Sequence, residues 1–377
     1  MATQPSSQPT TLLIGARIKA LREERKLSQD DLARLFGFKD RQTISAIETG
    51  ERKVSAEELI LAVEKLGAPL DYFTNPFVLV GEGKFNWRQM NVSDVRLSAY
   101  ERSAGRWIAA FRTIAPQVGR AAPLLRRALG LTKRSTYEDA MAAGERFAAE
   151  FALGDVPATR LAEAMERELG VLVLMVEATD GVSGAACRLP ELDVILINRH
   201  EVAGRRHFDL AHELFHILTW DAMPPEYSET ASEVSSNRVE QLANNFASAL
   251  LMPAATLDRF GDWSALPAAE LPARLNAAAT ELQVSSPALK WRLVALDRLK
   301  LAAAKAVSDA TLRNNGRAHA AEPAPPALFS RPFMEVLALA IDEGRVSARR
   351  AAGLLDLTIE DLGELFAVHG VASPVDL

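Results

Sequence analysis

The sequence predicts a multidomain, mainly α-helical protein with one small sheet near its middle. Three observations predict it. The chain has 377 residues, too many for one ordinary core and enough for two or three domains of roughly 100 to 200 residues each. Apolar residues recur at helical spacing towards both ends, as in Ile14, Ile18 and Leu21 and again in Leu354, Leu355, Leu362 and Leu365. Between them come VLVLMVE (171–177), GAACRL (184–189) and VILIN (194–198), three short apolar runs separated by Gly, Asp and Pro, which read as strands.

In chain order, residues 1–10 are a polar Ser/Gln/Pro tail with nothing to pack and are expected to be disordered. Residues 11–75 read as a compact bundle of short helices. Its inward faces are Ile14, Ile18 and Leu21, then Leu32, Leu35 and Phe36, then Ile44 and Ile47, then Leu59, Ala62 and Leu66. Residues 76–157 read as a basic helical connector. Residues 158–302 hold the three strands with helices before and after them. Residues 303–328, poor in large apolar residues and ending in prolines, have linker composition. Residues 329–377 form a last small helical module, with Ser347 and Thr358 as N-caps.

Composition excludes several classes. With 48% hydrophobic and 24% charged residues and a net charge of -6, the chain is neither disordered nor fibrous. Its single cysteine, Cys187, can form no intramolecular disulfide and no thiolate metal cluster, which fits a reducing compartment. The N-terminus lacks a basic segment followed by an apolar one, and no eighteen uncharged apolar residues run together, so a cytoplasmic location without membrane contact is expected.

Charge is uneven. Residues 84–134 hold eleven Lys/Arg against two acids, with Phe85, Trp87, Tyr100, Trp107 and Phe111 interleaved. Basic residues among aromatics suit single-stranded nucleic acid, which makes Arg102, Arg106 and Arg112 a candidate polyanion surface. The competing reading places Trp107, Ile108, Phe111 and Ile114 on the buried stripe of one long helix, with arginines solvating its other face.

The run FDLAHELFHILTW contains His212-Glu213-Leu214-Phe215-His216, an HExxH motif on a helix that is otherwise apolar. Histidines at i and i+4 project from one helix face, so both imidazoles reach a single Zn²⁺. Glu213 is then placed to act as general base on water at the metal instead of ligating it. A catalytic zinc usually takes a third protein ligand and keeps an open position. Glu240 is the preferred donor, because it borders the apolar stripe of Leu242, Ala243, Phe246, Ala247 and Leu250, where an unpaired carboxylate would be costly. Asn244, one turn on, could orient a ligand imidazole through a hydrogen bond. Glu229 and Glu233, in a more polar Ser-rich stretch, are the alternatives. A His₂Glu set also accepts Mn²⁺.

HFDLAHELFHIL followed, 24 residues beyond His216, by ExxANNFASALLMP resembles the ImmA/IrrE family of zinc metallopeptidases over roughly residues 158–256. The resemblance implies an α+β zincin-like peptidase domain, with His212, His216 and Glu240 as ligands and Glu213 as general base. It further implies cleavage of a repressor or antitoxin partner, in some members in response to DNA damage or single-stranded DNA. Phe215 departs from the family pattern, where glycine is common, and is expected to narrow the cleft.

Near the N-terminus, Ser28 and Asp31 form a capping-box pattern that opens a helix, and Gly37 ends it. A second helix begins at Arg41. Helix, glycine turn and helix make the helix-turn-helix plan, in which the start of the second helix enters the major groove of double-stranded operator DNA. Arg41 could read guanine and Gln42 adenine, beside Thr43 and Ser45. Over residues 14–73, LSQDDLARLFGF, RQTISAIETGERKVSAEELILAVEKLG and LDYF resemble the XRE (Cro/C1-type) family. Residues 11–70 hold eleven Lys/Arg against ten acids, so phosphate affinity must come from local placement, with Gln29, Lys39, Arg52 and Lys53 as contacts, and dimeric binding is expected. Together the two motifs imply a DNA-bound regulator with a zinc endopeptidase that cleaves a protein partner or itself. The alternative is a transcription factor whose peptidase-like domain is a non-catalytic sensor or oligomerisation unit.

Overall fold

In the computed structural model, which describes residues 8–121, 124–230, 237–317 and 324–374, the N-terminal bundle consists of five helices. These are α1 (Gln8–Glu24), α2 (Gln29–Phe36), α3 (Arg41–Glu48), α4 (Ala56–Leu66) and α5 (Leu70–Thr74). The Ser28–Asp31 capping box starts α2, and Gly37 ends it at φ 71°, a backbone conformation that glycine takes without steric cost. Asp40 caps α3, and a second capping box, Ser55–Glu58, starts α4. Ile18, Leu32, Ile44, Ala62, Leu66 and Phe73 close the core. The expected tail is shorter than its composition suggested. Gln8–Thr10 belong to α1, whose first turn accepts Pro9 because that turn's N–H groups have no intrahelical acceptor. Residues 1–7 lie outside the described part.

The segment expected as a helical connector corrects that reading. It opens with strand β1 (Lys84–Gln89), followed by α6 (Asp94–Ile114), and residues 124–134 contain no helix. Phe85 and Trp87 alternate at the period of a strand and stack at 5.2 Å. Small residues opposite them on β3 (Val182–Arg188) leave room for such bulk, with Trp87 facing Ala185 and Arg88 facing Gly184. The chain continues through α7 (Tyr137–Glu150), α8 (Leu161–Glu168), β2 (Val171–Val176), β3, β4 (Asp193–Asn198), α9 (Ala203–Thr219), β5 (Ser228–Thr230) and α10 (Arg238–Leu251). The sheet has five strands in the order β2-β4-β3-β1-β5, two more than the apolar runs indicated. β2 and β5 pair in parallel with β4 and β1, and β3 runs antiparallel to both of its neighbours.

Alternation along the strands divides the molecule into two layers. Val171, Val173, Ile195 and Ile197 face a core built with α7, α9, α10 and the later helices α11 (Ala254–Asp258), α12 (Leu271–Glu281) and α13 (Ser286–Ala295). Leu172, Leu174, Val194 and Leu196 face α6 and the C-terminal helices α16 (Arg331–Asp342), α17 (Ala348–Leu354) and α18 (Ile359–Val368), which come after α14 (Leu301–Ala306) and α15 (Asp309–Leu312). Two expectations change accordingly. The stretch with linker composition begins with α14 and α15, whose Ala304 and Leu312 are buried, since a close helix contact can be made through alanine. The C-terminal module does not stand apart: Phe329 and Phe333 pack in the same core as the sheet, and the Phe329 N–H donates to the Met175 carbonyl at 2.6 Å. No helix among the described residues is long and apolar enough to cross a membrane.

Candidate metal centre

Helix α9 lies across the sheet and buries His212, Glu213 and His216 completely. Such burial of three ionisable groups demands compensation. Helix α10 packs on α9 and brings Glu240, likewise buried, against both histidines. Its Oε2 lies 3.0 Å from His212 Nε2, its Oε1 lies 3.2 Å from His216 Nε2, and the two Nε2 atoms are 3.1 Å apart. One ligand atom from each of the three side chains falls within 4.8 Å of the others, as a shared cation requires.

Proton placement explains why a cation fits. Asn244, one turn beyond Glu240, has Oδ1 3.0 Å from His212 Nδ1. A carbonyl oxygen there accepts the Nδ1 proton, which leaves Nε2 with its lone pair turned towards Glu240 and His216. A neutral imidazole nitrogen and a carboxylate cannot satisfy each other without a proton or a metal between them. Burial, with the nearby charge of Arg88, depresses the His212 pKa to about 3, so the neutral ligand form prevails. Burial alone opposes ionisation of Glu240, and a proton or cation shared with the two Nε2 atoms would hold the carboxyl ionised below its ordinary range.

Glu213 behaves differently. Neither of its carboxylate oxygens has a hydrogen-bond partner among the described residues. Burial pushes its pKa up to about 7, with His216 and Arg88 opposing. Gly184 of β3 faces it: a Cβ there would be in ordinary contact with Glu213 Cγ, at 3.9 Å, but would meet the Leu196 carbonyl oxygen at 2.8 Å.

Of the alternative ligands, Glu229 takes part in β5 through its backbone and Glu233 lies outside the described residues. Phe215 corrects an expectation: it points into the core against Phe246, with ring centroids 5.6 Å apart, and does not narrow a cleft. Two groups escaped the sequence reading. Asp209 is buried on α9 one turn before Glu213, and its signal was visible as a charged residue within an apolar helix. Arg88 projects from β1 with Nε 3.5 Å from Asp209 Oδ1, and nothing local in its sequence marks it.

Comparison with family models matches residues 166–293 to the IrrE N-terminal-like domain and residues 18–73 to Helix-turn-helix. The chain fuses an XRE-type helix-turn-helix to an ImmA/IrrE-like domain. Comparison with curated proteins gives no match.

In the helix-turn-helix, which is a DNA-binding domain, Arg41 and Gln42 are exposed at the start of α3, and Thr43 and Ser45 are half-buried beside them. Lys39 and Lys53 are exposed. Two expected phosphate contacts are engaged within the protein: Gln29 donates to Glu48 at 2.9 Å, and Arg52 makes a two-point pair with Glu58 at 2.7 and 3.0 Å. The acceptors are carboxylates that cap or cross-link the bundle.

The polyanion surface expected before the ImmA/IrrE-like domain also changes. Arg112 is buried between Glu82 and Glu191, at 3.8 and 3.7 Å, and Arg106 pairs with Asp356 of the C-terminal helices. Arg102 is exposed. Phe85, Trp87, Trp107 and Phe111 are core residues, because α6 turns its apolar stripe to the sheet.

Proposed function

We propose that the protein is a DNA-binding regulator whose ImmA/IrrE-like domain is a zinc-dependent endopeptidase acting on a repressor-like or antitoxin-like partner, or on itself. The observation that carries this reading is the convergence of two imidazole nitrogens and one carboxylate beside a separate carboxylate, Glu213, that has no partner among the described residues. His212, His216 and Glu240 would hold the ion. A divalent cation bound there supplies Lewis acidity towards a peptide carbonyl and an attacking water. Glu213, with a pKa near neutrality, takes the proton of that water and returns it to the departing amine. Asn244 holds the His212 tautomer.

On the DNA side, Arg41, Gln42, Thr43 and Ser45 would meet base edges, and Lys39 and Lys53 phosphates. Near-equal charge in residues 11–70 favours two copies on a divided operator, since one copy has little net attraction for DNA. For single-stranded DNA as the activating signal, Phe85, Trp87, Trp107 and Phe111 are buried and offer no stacking platform.

The test uses Glu213→Gln, which preserves volume and ligands, as bait in the native host. Captured proteins are then incubated with the wild type, with and without single-stranded DNA, while metal analysis distinguishes Zn²⁺ from Mn²⁺. A captured protein cut by the wild type and spared by the variant supports the reading. Recovery of a discrete promoter with no cut protein under any condition would replace it with a transcription factor carrying a non-catalytic sensor domain.

A further inference from the structure

Arg88 lies outside the segment matched to the ImmA/IrrE-like family, yet it faces the same centre. Its position follows from strand register. Residues directly opposite on antiparallel strands share a face of the sheet, and Arg88 is opposite Gly184, whose Cβ position faces Glu213, 3.9 Å from its Cγ. The neighbours Trp87 and Phe85 belong to the core on the other face. The Arg88 guanidinium therefore lies over α9 at the level of the general base.

Its hydrogen bonding is incomplete. Asp209 engages it at Nε, at 3.5 Å, while Nη1 is buried and has no partner among the described residues. A guanidinium is charged at every accessible pH and has five N–H groups, so a buried, unused one is costly unless an acceptor arrives. The other charged groups around Asp209 are Arg205, 3.7 Å from its Oδ2, and Glu201, which pairs with Arg205 at 3.4 Å. Arg205 is half exposed and also donates to Ser183, so Arg88 is the guanidinium directed inward.

We propose that Arg88 is a substrate-binding residue of the metal centre, donating through Nη1 to the carbonyl oxygen of the cleaved peptide bond and stabilising the negative charge that develops there, with Asp209 holding the guanidinium in place. This deepens the peptidase reading and rests on it. A preorganised cation in a site closed to water is worth far more than the same charge in solvent, and it stabilises the transition state more than the neutral ground state. It also gives the strand before the ImmA/IrrE-like domain a chemical role, so that a domain cut down to residues 166–293 would keep its metal ligands and lose its electrophile.

The test needs no identified substrate. Full-length protein is loaded with Co²⁺, whose visible absorption reports its ligands, and titrated with inorganic phosphate as a tetrahedral oxyanion. The wild type should take up Co²⁺ and shift its spectrum saturably with phosphate. Arg88→Ala should keep Co²⁺ and bind phosphate about 10- to 100-fold more weakly, the range expected for one lost charge-assisted hydrogen bond. Arg88→Lys should recover part of that loss, which a purely structural role would not produce. If the alanine variant does not fold, Arg88→Met, which fills the same channel without charge, carries the same expectation. Unchanged phosphate affinity in the alanine or methionine variant, or a wild-type spectrum indifferent to phosphate, overturns the role of Arg88 and leaves the metal reading standing. A wild type that takes up no Co²⁺ overturns both.

Discussion

Gly144 of α7 lies directly against the backbone of Phe246 in α10: a Cβ at position 144 would stand 2.4 Å from the Phe246 carbonyl oxygen and 2.9 Å from the Leu250 nitrogen. The closeness of the two helices is set by this glycine. Because α10 carries Glu240 and Asn244, the packing also fixes the distance from the third ligand to α9. Gly144→Ala must push the helices apart, since the obstructing atoms are backbone and cannot rotate away. The expected cost is about 1 to 3 kcal/mol of stability, typical of overpacking, together with weaker metal retention. Urea unfolding with and without excess Zn²⁺ measures both, and an unchanged midpoint would show that α7 shifts freely.

Asn244 provides the next prediction. Its Oδ1 accepts from His212 Nδ1, so Asn244→Ala frees the ring to rotate and to change tautomer. Metal affinity should fall about 10- to 100-fold, as is usual for a lost partner of a ligand imidazole. Asn244→Asp, which keeps an acceptor, should fall less. Competition against a chelating dye gives the constants, and equal values for all three proteins would remove Asn244 from the centre.

Asn244 marks where the site was legible from sequence, and Gly144 where the packing was not. His212, Glu213 and His216 follow from local helix geometry, and Glu240 and Asn244 from a carboxylate and an amide beside an apolar stripe, so one helix at a time was enough to find them. Ser28, Gly37, Ser347 and Thr358 were readable for the same reason, because a cap acts over three or four residues. Arg88 was hidden because its placement depends on the pairing of β1 with β3, nearly a hundred residues away. Arg112 looked like a surface charge in its own segment, and only Glu82 and Glu191 from other parts of the chain show it to be a largely covered ion-pair partner. Long-range partners decide burial, and local pattern does not contain them.

Glu166 of α8 gives the fold a pH dependence separate from the metal centre. Burial raises its pKa from the ordinary 4.5 to about 7, with the charges of Glu163 and Glu335 adding to the rise. Between those values the folded chain holds a proton that the unfolded chain has released, so stability from this group is fully present below about 4.5 and declines as pH rises towards 7. Above that it levels off. Glu166→Gln keeps the neutral shape and should flatten this part of the profile, making the variant the more stable protein at pH 8. Urea midpoints from pH 5 to 8 check it, and parallel profiles for the two proteins would count against the buried carboxyl.

Arg52 and Lys39 separate fold from contact in the helix-turn-helix. Arg52 is tied to Glu58, the capping-box residue of α4, and lies 5.7 Å over the Phe38 ring, whereas Lys39 is exposed just before α3. Each phosphate contact contributes close to one unit to the slope of log affinity against log salt. Lys39→Ala should therefore reduce that slope by about one, on a duplex selected by the wild type from random sequence, and leave the thermal midpoint unchanged. Arg52→Ala should do the reverse, lowering the midpoint of the isolated transition while the slope stays within error, because its guanidinium already has a carboxylate. A fall in slope with Arg52→Ala would mean that the Glu58 pair opens when DNA binds, which an added Glu58→Gln variant would reveal as tighter DNA binding.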